Sequence, residues 1–239
     1  MSDAVMRTDG DRFNPRQIPP SRHGAERRDL TLHPADFELA AEPGRIVVVD
    51  FEGTGNQVPK DAEIRPGAPG LLIEIGAVEL LLDGEGWRRG GTFHTYLNPR
   101  ARLNPYAVKV HGIRSSMLAD KPTFDEVWPG FRDFLGNATI AAHAYNNERH
   151  ALIYETRRIG AVAVDAEPYP LERWFCTQVA FKRAFPNARS KLDAVCDRFG
   201  IDRGQRRLHG ALLDADLTAS AFVALAELVA RPESIAAPR

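Results

Sequence analysis

Arg45-Ile46-Val47-Val48-Val49-Asp50-Phe51-Glu52-Gly53 is the stretch on which the fold turns. Four consecutive β-branched residues, Ile46 to Val49, suit a pleated, packed surface and predict a buried strand. Side chains on a strand alternate with a period of two, so Asp50 and Glu52 project from the same face at its end. Before this strand, residues 1 to 44 mix both charges with Pro15, Pro19, Pro20, Pro34 and Pro43 and show no sustained period. They read as a disordered extension.

Beyond the strand, a Gly/Pro-rich loop from Gly53 to Gly70 leads to a second apolar run, Leu71 to Leu82. A turn at Asp83-Gly84-Glu85-Gly86 and a third strand near Thr92 to Leu97 follow, which together predict an antiparallel meander. Apolar spacing then turns helical at Phe124, Val127, Trp128, Phe131, Phe134 and Leu135. A short strand is expected at Ala138 to Ala142, a helix at Glu148 to Ile159, and a fifth strand at Phe175-Cys176. Helices near Gln178 to Phe185, Leu192 to Phe199 and Leu212 to Val229 complete the chain. The expectation is an α/β domain over residues 45–230, with a mixed sheet of about five strands flanked by helices and a short tail at 231–239.

Composition narrows the function classes. Of 239 residues, 44% are hydrophobic and 26% charged, as in an ordinary globular chain. Lys+Arg (31) and Asp+Glu (32) nearly cancel, so any grip on nucleic acid must be local. No apolar run is long enough to cross a bilayer, and Ser2 to Arg12 lacks the apolar core of a secretory signal, which predicts a cytoplasmic protein without membrane contact. Cys176 and Cys196 have no metal-ligand spacing and are expected as buried free thiols. Gly53-Thr54-Gly55 follows a strand, yet it lacks the third glycine of a dinucleotide fingerprint and no helix succeeds it.

The candidate chemistry is acidic. Asp50 and Glu52 can share a divalent cation, and all-oxygen sites favour Mg²⁺ or Mn²⁺. Late in the chain, Leu208-His209-Gly210-Ala211-Leu212-Leu213-Asp214 opens the last helix. An imidazole can take a proton from an activated water near neutral pH, and Asp214 can add a further metal oxygen.

The order Asp50-x-Glu52 and then His209-x-Ala211-Leu212-x-Asp214-Ala215 resembles the first and third motifs of the DEDDh (DnaQ-like) 3′→5′ exonucleases, the family of the DNA polymerase III epsilon proofreading subunit. Between them, Ile73-Glu74-Ile75-Gly76-Ala77-Val78 resembles the family's second strand, and Val110-His111-Gly112-Ile113 with Pro122-Thr123-Phe124 its characteristic loop. Phe185-Pro186 through Ser190-Lys191-Leu192-Asp193-Ala194-Val195-Cys196 and Phe199-Gly200-Ile201-Asp202 fit the approach to the third motif.

That resemblance implies a ribonuclease H-like fold, two divalent ions, release of nucleoside monophosphates from single-stranded or frayed 3′ ends, and a proofreading or repair role. By its analogy Asp50, Glu52 and Asp214 ligate metal and His209 is the general base. Phe51 and Thr54 would lie beside the terminal nucleotide, with Thr54 equally suited to capping the turn after the strand. The second motif departs from the family pattern: His143-Ala144-Tyr145-Asn146-Asn147-Glu148 carries glutamate where aspartate is usual. Glu148 keeps the charge and adds a methylene. His143 matches a family position that can face substrate, although a structural histidine suits it better, as it does His111. DNA is the expected substrate and a DNA polymerase the partner the resemblance implies. RNA 3′-end trimming and a non-catalytic nucleic-acid-binding module are the alternatives. The short stretch after Leu228 leaves little room for a polymerase-binding segment, which predicts a stand-alone enzyme.

Overall fold

The computed structural model describes residues 7–8, 44–55, 71–204 and 206–230. Strand β1 is Arg7–Thr8, β2 Arg45–Gly53, β3 Leu72–Asp83, β4 Gly86–Tyr96, β5 Thr139–Ala142 and β6 Trp174–Cys176. The helices are α1 Pro105–His111, α2 Ser115–Leu118, α3 Phe124–Leu135, α4 Asn146–Arg158, α5 Thr177–Ala184, α6 Leu192–Phe199 and α7 Ala211–Ala230. They surround one mixed sheet of order β1-β4-β3-β2-β5-β6.

The β-branched run puts β2 at the centre, antiparallel to β3 (Val48↔Val78) and parallel to β5 (Val48↔Ala141). Both of its faces are covered, which is why alternation is missing from its apolar stretch. Ile46 and Val48 pack with Ala215, Ala219 and Phe222 of α7, while Val47 and Val49 pack with Phe131 and Leu135 of α3.

Three elements differ from expectation. Strand β4 starts at Gly86 rather than near Thr92, because Trp87, Arg88 and Arg89 pair with Leu82, Leu81 and Leu80 of β3 on hydrogen bonds that polar side chains do not advertise. Helix α1 occupies a stretch where no helix is expected and runs into the loop expected from Val110; the Asn104 side chain accepts from Tyr106 N, Pro105 opens the first turn, and Gly112 closes it with φ 74°. Within the extension expected to be disordered, Arg7–Thr8 pairs antiparallel with Gly91 and Thr92, a sixth strand beyond the five anticipated. The rest of that extension lies outside the described residues, as do residues 56–70 of the long loop and the tail. Both cysteines are free; Cys196 is buried, whereas Cys176 is partly exposed instead of buried.

Candidate active site

The chemistry sits where three chain segments meet at the end of β2. Asp50 and Glu52 continue the face of Ile46 and Val48, so the packing of α7 on that face brings its first turn over them. Phe51 points the other way, edge-on to Phe131 with ring centroids 5.9 Å apart.

Close approach of α7 depends on Gly76 of β3. A Cβ at that position would lie 2.2 Å from the Ala211 carbonyl carbon and Leu212 N, so only hydrogen fits beneath the helix start. Buried Glu74 secures the same crossing: one carboxylate oxygen accepts from Ala211 N at 3.1 Å, and the other meets His94 Nε2 at 2.7 Å. No motif in the sequence marks His94 or the Glu74 carboxylate; the register Glu52↔Glu74 is what lines two acids side by side.

Asp214 lies in the first turn of α7, buried to 3% exposure. His209 is exposed and precedes the helix by two residues rather than opening it. One ligand atom each from Glu52, His209 and Asp214 lie within 4.8 Å of one another.

Glu148 arrives from the opposite side. The parallel register of β5 with β2 carries the chain past Asp50 into a turn where Ala144 adopts φ 62°, and α4 begins immediately after. An alanine in the left-handed region costs of order 1 kcal/mol, a strain stored beside the acids. Glu148 is buried, and its Oε2 has no hydrogen-bond partner.

The acids raise one another's proton affinity. Burial, then Glu74 and Asp214, push Glu52 up to about 8, with Arg206 opposing. Burial, with Glu52 adding, pushes Glu148 up to about 8. Asp50 is raised well above the usual carboxylate range by burial and then by Glu148, Asp214 and Glu52. Such crowding is costly without compensating positive charge. A divalent cation fits this donor set: Glu52, Asp214 and the His209 imidazole bring ligand atoms together, and the charges of Asp50 and Glu148, whose buried Oε2 is orphaned, are felt beside them.

Two candidates are occupied within the protein. His143 Nε2 meets the Ser190 carbonyl at 2.8 Å and Nδ1 the Thr177 hydroxyl at 3.0 Å, which uses both ring nitrogens. Thr54 is buried, its Oγ1 accepting from Leu71 N at 3.1 Å and its own N–H donating to Leu71 O, so it ties the neck of the long loop. His111 Nδ1 accepts from Ile113 N at 3.0 Å. Arg206, which no motif marks, lies in the middle of the cluster. It forks onto both Asp214 oxygens at 2.6 Å and touches Asp193 and His209.

A family model described as exonuclease matches residues 47–222, nearly the whole of this frame. The chain belongs to the exonuclease family. This exonuclease is 37% identical to the DNA polymerase III subunit epsilon of Pasteurella multocida over 188 residues, covering 77% of this chain and 69% of that protein. It is 36% identical to the epsilon subunit of Escherichia coli, covering 76% of this chain and 71% of that protein.

Two solved structures share its ribonuclease H-like fold. Exonuclease X in complex with 5′ overhanging duplex DNA has a TM-score of 0.58 at 22% identity, over 77% of this chain and 93% of that one. The nuclease domain of 3′hExo, a DEDDh family member bound to rAMP, has a TM-score of 0.57 at 18% identity, over 79% and 94%. This exonuclease is a DnaQ-like hydrolase of the 3′→5′ class, a class that uses divalent metal ions, and its substrate is a nucleic acid. Among the described residues no helix is long and apolar enough to cross a membrane.

Proposed function

We propose that this exonuclease removes nucleotides one at a time from single-stranded or frayed 3′ ends of DNA, with Asp50, Glu52, Glu148 and Asp214 holding two Mg²⁺ or Mn²⁺ ions. The observation that carries this reading is the set of acids, drawn from β2, α4 and α7, whose buried members repel one another and leave Glu148 Oε2 unpartnered. Ions bound there supply Lewis acidity to the scissile phosphate and acidify the attacking water.

The chain's own residues do the rest. Exposed His209 stands at the solvent side of the cluster and takes the proton from water as its oxygen attacks phosphorus. The P–O3′ bond breaks, a nucleoside 5′-monophosphate leaves, and the departing O3′ takes a proton from solvent to become the new 3′ hydroxyl of the shortened strand. Glu148, longer than the usual aspartate, reaches the cluster from the first turn of α4, where the Ala144 turn sets its starting point. Similarity to polymerase epsilon subunits supports DNA as the substrate and a polymerase-held primer end as its source.

Matched single-stranded DNA and RNA oligonucleotides, incubated with Mg²⁺ or Mn²⁺, test the choice of sugar. Faster shortening of DNA is expected. Preference for RNA would transfer the enzyme to RNA 3′-end trimming.

A further inference from the structure

We propose that Arg206 is a built-in substitute cation, which holds the metal-free site latched by occupying Asp214 and His209 together and must be displaced for a divalent ion to bind. The inference rests on the reading of Asp214 as a metal ligand. Arg206 Nε meets Asp214 Oδ1 and one terminal nitrogen meets Oδ2, both at 2.6 Å, so the fork takes up both carboxylate oxygens. The same terminal nitrogen lies 3.1 Å from His209 Nδ1. The guanidinium side chain is only 10% exposed and Asp214 only 4%, which keeps solvent screening low.

An ion ligated by Asp214 would share oxygens with a monovalent cation at hydrogen-bond distance. Like charges so close in a poorly screened site exclude each other, so the two occupants exchange. A path for the guanidinium is in place. Arg206 already bonds Asp193 of α6, and Arg203, three residues earlier, holds Asp193 at 3.3 Å and also pairs with Asp197. Withdrawing toward α6 frees a metal ligand and the general base in one movement. Metal occupancy and readiness of His209 are thereby coupled through one side chain, which acts as a positioning residue and not as a catalytic one.

Calorimetric titration of Mg²⁺ into the wild-type enzyme, Arg206→Ala and Arg206→Lys tests this without recourse to activity. Arg206→Ala is expected to bind Mg²⁺ at least about tenfold more tightly. Arg206→Lys, which keeps the charge and loses the fork, is expected to fall between. In parallel, Mg²⁺ should raise the melting temperature of Arg206→Ala more than that of wild type. Should the variants misfold, the wild-type protein still reports: the Arg206 Nε–H resonance must shift as Mg²⁺ saturates the site. Equal or weaker binding by folded Arg206→Ala, or an unmoved resonance on saturation, overturns the latch and leaves the metal site standing. No Mg²⁺ bound by any of the three proteins overturns both.

Discussion

Replacing Gly76 by alanine perturbs the site without touching any group in it. The added methyl would lie 2.2 Å from Leu212 N and the Ala211 carbonyl carbon and 2.4 Å from Ala211 O. Carbon contacts settle near 3.5–4.0 Å, so the start of α7 must lift by more than about 1 Å. The obstacle is backbone on both sides, and no side-chain rotamer relieves it. Overpacking of this kind costs about 1–3 kcal/mol, within reach of a stable fold. The displacement matters more for chemistry, because the lifted turn carries Asp214 and is tied to His209, while the Glu74 bond to Ala211 N stretches. A misplacement of about 1 Å costs on the order of 100-fold in rate. Steady-state kcat/KM on a single-stranded oligonucleotide, with circular dichroism to confirm folding, measures both effects. A folded Gly76→Ala enzyme within threefold of wild type would refute the argument that this crossing positions the site.

Two further predictions follow from charge. Glu52 and Glu148, raised from the ordinary 4.5 to about 8 in the metal-free protein, contribute stability that is fully present below about pH 4.5 and lost as pH rises from there to about 8. Metal binding at pH 7 must therefore expel protons, visible as a dependence of calorimetric heat on buffer ionisation enthalpy, and the Mg²⁺-induced rise in melting temperature should be larger at pH 8.5 than at pH 6. Glu148→Gln keeps shape and loses charge, so it should melt higher than wild type without metal yet bind Mg²⁺ more weakly, whereas Glu148→Asp should retain metal binding. Tighter Mg²⁺ binding by Glu148→Gln would count against Glu148 as a ligand.

What could be read in advance depended on whether a signal was local. Ile46 to Val49 announced β2 because a run buried on both faces needs no partner to be recognised, and the spacing of Phe124, Val127, Trp128 and Phe131 announced α3 in the same way. Trp87 to Arg89 carry no such signal, since their strand identity comes from pairing with β3, a contact between chain segments. The same limit applied at the site. Asp50, Glu52, Glu148, His209 and Asp214 stood out through motif order, and the structure places them together. Arg206 looked like one more basic residue in a basic loop. Its importance comes from a guanidinium folded back onto a helix eight positions later, which no spacing rule encodes. Glu74 reads in the sequence as one residue of a strand, yet its carboxylate fastens the start of α7.

On the proposed function, these acids and His209 form a metal-dependent centre for hydrolysis from the 3′ end. The decisive assay is a single-stranded DNA labelled at its 5′ end, incubated with Mg²⁺ and the wild-type enzyme, Asp50→Ala or His209→Ala. Expected are a ladder that shortens stepwise from the 3′ end for wild type, no ladder with chelator, and loss of at least about 100-fold in rate for both variants. Undiminished shortening by either variant, or an intact oligonucleotide with folded wild-type enzyme in both Mg²⁺ and Mn²⁺, would contradict it.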